Sequence, residues 1–166
     1  MNQKEKIEKI KEFRLIDDVF FEVFASDIPA CQEILRTILE DEKLIVNDVI
    51  VQSSERNIYG RSVRLDALCT LGDGSLCNIE IQRSDNDNHL KRARFNAASI
   101  TVKESEPGIN FENVKDVYIV YISEKDFFKA GLTTYHIDKI IRENGITVED
   151  GLHEIFVNAA VDDGSN

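Results

Sequence analysis

The sequence predicts a single α/β domain, and three observations indicate this fold class. The 166 residues are enough for one domain of ordinary size. Hydrophobic residues make up 42% of the chain and charged residues 31%, which are the proportions of a globular protein. Along the chain, the apolar pattern changes from helical spacing to short alternating or continuous runs. The predicted order is helices, three strands, a helix, and then two or three strands.

The N-terminal third of the chain is predicted to be mainly helical. Its first segment is polar and charged, its second carries apolar side chains at helical spacing, and its third opens on Asp27 and Pro29, a typical helix start. A run rich in Val and Ile follows, and this composition favours a strand. The three helices are predicted at residues 4–14, 15–25 and 27–41, and the strand at residues 44–52.

The strongest local signal is a β-hairpin, in which residues 61–71 and 76–83 flank a Gly-rich turn. If it closes symmetrically about Asp73, opposed residues have numbers that sum to 146, and Asp66 then faces Glu80. Because side chains alternate along strands, one face is polar and the other apolar. The polar face carries Arg64, Asp66, Leu68, Asn78, Glu80 and Gln82, and the apolar face carries Val63, Leu65, Ala67, Cys69, Cys77, Ile79 and Ile81.

The C-terminal half is predicted to hold one helix and the remaining strands. The helix covers residues 87–104, with Leu90, Ala93, Ala97 and Ile100 on its inner face and His89 as a cap or surface residue. A capping-box pattern at residues 123–126 predicts a short helical turn. Strands are predicted at residues 117–122 and 152–157, and residues 133–141 fit either a strand or a helix.

Asp66 opposite Glu80 is the feature of the hairpin that points to chemistry. Like charges opposed on paired strands are destabilising, so a positive group is expected between them. Mg²⁺ suits this position, because it binds one or two carboxylates together with water and phosphate. The backbone carbonyl of Ile81 is a further candidate ligand. The alternative is that both acids face solvent on a half-exposed sheet and are neutralised by Arg64.

Six segments carry a family resemblance. They are Asp17-x-x-Phe20-x-x-x-Phe24, Gly60–Asp66, Asn78–Gln82, Lys91–Phe95, Val117–Ile122 and Ile155–Asn158. In this order they resemble the recombination-promoting nuclease, or transposase, family of the PD-(D/E)xK nuclease superfamily. The resemblance implies a restriction-endonuclease-like α/β core, with a central mixed sheet flanked by helices. It also implies a DNA endonuclease that depends on Mg²⁺ or Mn²⁺.

The resemblance also implies roles for individual residues. Asp66 and Glu80 would bind the metal, and Gln82 would orient the attacking water. Gln82 stands where the superfamily usually has Lys, and an amide carries no charge to stabilise a transition state. Asp17 is a candidate third acid, or else a helix N-terminal charge that interacts with the helix dipole. Three arginines are candidates for DNA phosphate contacts, or else belong to a solvated surface: Arg64, Arg92 and Arg94.

The net charge of −11 argues against a protein that coats nucleic acid non-specifically. Residues 56–103 nevertheless hold eight basic and five acidic side chains, a net of +3, against −14 for the remainder. DNA binding is therefore expected to be local and weak at physiological salt. The charge-dense start of the chain and the lack of a long apolar run predict a cytoplasmic protein without a membrane span.

Several expectations concern the chain as a whole. Three cysteines without metal-site spacing predict no zinc site, and Cys69 and Cys77 are expected to be reduced core residues. Residues 1–166 are expected to form one nuclease-like domain, with truncation at the C-terminus left open. DNA is the expected partner, and a second copy of the chain is a further candidate. The competing hypothesis is a nuclease-like fold that serves as a non-catalytic interaction module, supported by the acidic surface and the uncharged Gln82.

Overall fold

A six-stranded mixed β-sheet forms the centre of the molecule in the computed structural model, which describes residues 18–55, 63–83 and 88–160. In chain order the strands are β1 (Val46–Glu55), β2 (Val63–Leu71), β3 (Leu76–Gln82), β4 (Val117–Ser123), β5 (Thr134–Ile137) and β6 (Leu152–Asn158). They lie in the spatial order β1-β2-β3-β4-β6-β5. The first three pair antiparallel, β3, β4 and β6 run parallel, and β5 closes the edge antiparallel to β6.

Helices cover both faces of this sheet. They are α1 (Asp18–Ala25), α2 (Ile28–Ile38) and α3 (His89–Glu104), and a short 3-10 turn spans Phe111–Asn113. The predicted start of α2 is confirmed, because the Asp27 carboxylate caps it by accepting a hydrogen bond from the Ala30 amide at 3.1 Å. The mixed sheet flanked by helices is the restriction-endonuclease-like α/β fold that the family resemblance implies. No helix in the described ranges combines the length and apolar character needed to cross a bilayer.

The sheet separates two hydrophobic cores. One lies under α1 and α2, where Phe21 and Leu35 pack against Cys69, Cys77 and other apolar side chains of the sheet. The second lies under α3, where Ala93, Ala97 and Ile100 meet the opposite face of β2, β3 and β4. Strand β4 contributes alternate side chains to both cores, which explains its unbroken apolar sequence. The prediction of a strand buried on both sides is therefore confirmed.

The hairpin register predicted from the turn is also confirmed. Observed pairs include Ala67 with Ile79 and Cys69 with Cys77, whose numbers sum to 146. Cys69 and Cys77 are free thiols with no exposed surface. Burial raises the pKa of the Cys77 thiol, so it stays protonated as a small core residue.

One prediction about the hairpin faces is wrong. Leu65 was expected to share a face with Ala67, but it packs with Leu68 in the core under α3. The backbone of Gln52, which lies on β1 between the partners of Leu65 and Ala67, has a φ of 53°. A residue in this conformation is incompatible with a regular strand. The alternation of side chains therefore breaks beside Asp66.

Three predictions about the C-terminal half are also wrong. Leu90 is 48% exposed, whereas His89 is buried on the inner face of α3. Ser123 ends β4, Glu124 and Lys125 form a bend, and no helical turn is present, because the Asp126 carboxylate accepts hydrogen bonds from the Lys129 and Gly131 amides and shapes a loop. The strands predicted at residues 152–157 and within 133–141 are present as β6 and β5. The helix predicted at residues 4–14 lies outside the described residues.

Gly151, which precedes β6, provides a test of this part of the fold. Its φ is 79°, and an added Cβ would collide with the Asp116 carboxylate. We expect Gly151→Ala to lower the free energy of unfolding by about 1–3 kcal/mol, because alanine is strained in this conformation and also displaces Asp116. Urea denaturation measures the change. An unchanged midpoint would contradict the tight approach of these two residues.

Candidate active site at the open end of the hairpin

The candidate site lies at the end of β2 and β3 that is farther from their connecting turn. Asp66 comes from β2, Glu80 and Gln82 come from β3, and Arg92 reaches the site from α3. Because Glu80 and Gln82 are two positions apart on one strand, with Ile81 between them, they point to the same face. This is the face that α3 covers.

Asp66 and Glu80 lie close together, as the predicted register requires. Asp66 Oδ2 accepts a hydrogen bond from the backbone amide of Ile81 at 2.9 Å, and the Asp66 amide donates to Glu80 Oε1 at 3.3 Å. Each carboxylate thus accepts a backbone N–H group of the opposite strand. Such hydrogen bonds favour the ionised carboxylate and offset part of the repulsion between the two acids.

Glu80 is the electrostatically unusual member of the pair. It is 2% exposed, and burial together with the neighbouring charge of Asp66 raises its pKa to about 7. Hydrogen bonds from the Asn78 side chain and the Asp66 amide, and the charge of Arg92, oppose this rise. A carboxyl group that titrates near neutrality in a buried position is a feature that clusters at functional sites. More positive charge beside Glu80 would favour its ionised form.

Arg92 supplies some of that charge. Its Nε lies 3.9 Å from Glu80 Oε2, and its Nη1 donates to Gln82 Oε1 at 3.3 Å. The arginine that sequence reasoning placed beside the acids, Arg64, is exposed and donates instead to the Gln52 side chain. The alternative in which both acids face solvent and Arg64 neutralises them is therefore wrong.

Two asparagines form part of the site, and sequence reasoning gave them no role. Asn78 Nδ2 donates to Glu80 Oε1 at 3.1 Å and to the Ala67 carbonyl at 3.0 Å. Asn96 of α3 donates to Asn78 Oδ1 at 3.3 Å. A signal for Asn78 was present in the sequence, because asparagine is depleted in strands and this one interrupts an apolar run. No comparable signal marked Asn96.

His89 joins α3 to the sheet close to the site. His89 Nδ1 and Tyr121 Oη are hydrogen-bonded at 2.8 Å. The His89 ring also stacks on Phe127, with ring centroids 4.9 Å apart. Tyr121 is the neighbour of Glu80 across the parallel β3–β4 pair. The expectation of a cap or surface histidine is wrong, since the capping group is the Asn88 side chain. His89 therefore anchors the first turn of α3, one turn before Arg92.

The donor set fits a hard divalent cation. Asp66 and Glu80 offer carboxylate oxygens, and a cation bound beside them would favour the ionised form of Glu80, whose pKa is raised in its absence. In the part of the chain that the structure describes, no group of three His, Cys, Asp or Glu side chains is placed to hold a metal ion. The predicted third acid, Asp17, lies outside the described residues. The Ile81 carbonyl stays a prediction as a further ligand.

The remaining basic candidates lie at the surface around the site. Arg94 is exposed on α3 two residues beyond Arg92, and Lys91 is exposed on the same helix. Arg64 is exposed on β2, two residues before Asp66. All three cations are on elements that also contribute residues to the site.

Residues 14–160 match the model of a family described as PD-(D/E)XK nuclease family transposase. The match spans nearly all of the chain and includes both hairpin strands, α3, β4 and β6. Among curated proteins, none matches the sequence.

Proposed function

Because this chain belongs to the PD-(D/E)XK nuclease family of transposases, we propose that it is a metal-dependent endonuclease that hydrolyses phosphodiester bonds of DNA. The observation that carries the proposal is the pair of adjoining carboxylates, Asp66 and Glu80, of which Glu80 is buried with a pKa raised to about 7. Two adjoining carboxylates of which one is buried destabilise the folded protein by charge repulsion and desolvation, and a bound divalent cation would offset the repulsion.

Asp66 and Glu80 are the proposed ligands of Mg²⁺ or Mn²⁺, with the Ile81 carbonyl as a third oxygen donor and Asp17 as a candidate fourth. A divalent cation held there supplies Lewis-acid charge for the attack of water on phosphate. Gln82 has the amide group needed to hold that water by hydrogen bonds, and its side chain is partly exposed beside the carboxylates. Positioning of the reacting groups then supplies part of the rate enhancement.

Arg92 is proposed to compensate for the uncharged Gln82. Its guanidinium contacts Gln82 and lies beside Glu80. It therefore places a positive charge next to residue 82, where the neutral glutamine side chain carries no charge. A guanidinium is always protonated and suits phosphate oxygens. We therefore assign to Arg92 the stabilisation of charge that develops on the phosphate, with Arg64 and Arg94 as DNA-backbone contacts.

The charge distribution limits how the protein binds DNA. Residues 56–103, which include the site, carry a net charge of +3, while the remainder of the chain carries −14. Binding that depends on few phosphate contacts is weak and responds to salt with a shallow slope. We propose a short footprint at the cleavage position and a role in the recombination or movement of DNA, in keeping with the transposase description of the family. The proposed compartment is the cytoplasm.

Incubation of supercoiled plasmid with the protein tests the proposal. We expect nicked or linear product with Mg²⁺ or Mn²⁺ and none with EDTA. Both single-stranded and double-stranded substrates belong in the assay. Absence of cleavage with every divalent metal and DNA form, together with no calorimetric binding of Mn²⁺, would refute the nuclease proposal and favour the non-catalytic interaction module.

Replacement of Arg92 tests its proposed role separately. We expect Arg92→Gln to reduce the cleavage rate about 100-fold, because one preorganised cation beside the reacting phosphate is lost. Arg94→Gln is the matched control, since Arg94 is exposed on the same helix. It should weaken DNA binding slightly and leave the rate at saturating DNA unchanged. Equal losses of rate in the two variants would contradict the special role of Arg92.

A further inference from the structure

Three buried side chains form a continuous hydrogen-bonded path from α3 to the candidate metal site. They are Asn96, Asn78 and Glu80, each at most 2% exposed. We propose that Asn78, itself held by Asn96, is a positioning residue that fixes the Glu80 carboxylate with one oxygen directed at the cation. This inference rests on the proposed function, because it assigns to Glu80 the role of a ligand.

The two oxygens of Glu80 have different surroundings. Oε1 accepts hydrogen bonds from Asn78 Nδ2 at 3.1 Å and from the Asp66 amide at 3.3 Å. Oε2 lies on the side of Arg92, whose Nε is 3.9 Å away. With Oε1 held by two donors, rotation of the carboxylate is restricted and Oε2 remains directed at the site. A ligand that is already oriented loses less conformational freedom when a cation binds.

The orientation of the Asn78 amide is itself fixed at both ends. Its NH₂ group donates to Glu80 and to the Ala67 carbonyl at 3.0 Å, with a longer hydrogen bond of 3.4 Å to the Ile79 carbonyl, so both hydrogens are used. The carbonyl oxygen accepts from Asn96 Nδ2 at 3.3 Å. A flipped amide would direct its oxygen at two acceptors, Glu80 Oε1 and the Ala67 carbonyl. Asn96 thus favours the one orientation of Asn78 in which a donor faces Glu80.

Asparagine is an unusual residue at these two positions. Both side chains are buried in the sheet–helix interface beside an apolar core, where apolar side chains predominate. Their hydrogen bonds replace those lost to water and give little net stabilisation. Their hydrogen bonds toward Glu80 account for the presence of asparagine at two positions where packing alone would favour apolar side chains.

Calorimetric titration with Mn²⁺ in the absence of DNA tests this proposal on Asn78→Leu, Asn96→Leu and the double variant. We expect Asn78→Leu to weaken Mn²⁺ binding about tenfold, as loss of an outer-sphere partner of a ligand typically does. Asn96→Leu should weaken it less and have no further effect in the Asn78→Leu background. Cleavage by each variant should recover in part at high Mn²⁺, whereas the KM for DNA stays unchanged.

Asn158→Leu is the matched control, because Asn158 is also a buried strand asparagine but lies on β6, two strands from β3. It should lower thermal stability without changing the Kd for Mn²⁺. A wild-type Kd in folded Asn78→Leu would overturn the inference and leave the nuclease proposal intact. If Asn78→Leu fails to fold, a wild-type Kd in Asn96→Leu overturns it. Absence of Mn²⁺ binding by the wild type would overturn the inference about Asn78, and if cleavage were absent as well it would overturn the nuclease proposal.

Discussion

Asp66→Asn is expected to lower the rate of DNA cleavage about a thousandfold, because removal of one charged ligand costs several kcal/mol of transition-state stabilisation. Asparagine has nearly the same shape as aspartate, and its carbonyl oxygen can still accept the hydrogen bond from the Ile81 amide. The fold around the hairpin should therefore persist, and the loss can be assigned to the charge. Initial rates of plasmid nicking at saturating Mg²⁺ measure the effect.

The matched control for this variant is Glu112→Gln, which removes one negative charge from an exposed position in the 3-10 turn. Cleavage by this variant should equal that of the wild type. Mn²⁺ titration should show weakened binding in Asp66→Asn alone. Retention of more than about a tenth of the wild-type rate in a folded Asp66→Asn protein would contradict the assignment of Asp66 as a metal ligand.

Glu80→Gln is expected to stabilise the metal-free protein relative to the wild type at alkaline pH. The pKa of Glu80 is raised from 4.5 to about 7 in the folded state, mainly by burial and then by the charge of Asp66. The stability contributed by protonated Glu80 is therefore complete below about pH 4.5 and is lost as the pH rises through about 7. Glutamine does not ionise, so Glu80→Gln does not lose this stability as the pH rises. Between pH 5 and pH 8 its stability should gain roughly 2–3 kcal/mol on the wild type.

Urea denaturation in the presence of a chelator, at both pH values, measures this difference. Excess Mn²⁺ at pH 8 should stabilise the wild type by mass action and should have a much smaller effect on Glu80→Gln. Asp73→Asn is the control, because Asp73 lies in the turn at the other end of the hairpin and its pKa is lowered by the Ser75 amide. That variant should show no gain between pH 5 and pH 8. Parallel pH profiles for wild type and Glu80→Gln would disprove the raised pKa.

Local patterns were sufficient to predict the elements that have strong short-range signals. The Gly-rich turn set the register of β2 and β3 from Thr70 to Ala67, and the cross-strand hydrogen bonds of Asp66 and Glu80 lie next to the last of these pairs. The Asp27 cap placed the start of α2, and the continuous apolar run of β4 indicated burial on both faces. In each case the deciding interactions join residues near in sequence, or concern the composition of one strand.

Predictions failed where distant segments decide the environment of a side chain. His89 is buried because Tyr121 and Phe127 meet it from β4 and the following loop. Leu90 is exposed for the same reason, since the inner face of α3 is set by how its first turn docks on the sheet. Leu65 packs in the core under α3 and not on the face of Ala67, and it lies beside Gln52 of the neighbouring strand, which has a positive φ.

The sequence by itself determined the α/β class, the order of its elements, the family resemblance and the pairing of two acids on one hairpin. Tertiary structure alone decided which arginine and which side-chain amides surround that pair. Arg92 and Asn96 belong to α3, and only the packing of this helix across the sheet brings them to Gln82, Asn78 and Glu80. Burial and the charge of Asp66 raise the pKa of Glu80, because desolvation and charge repulsion depend on neighbours in space.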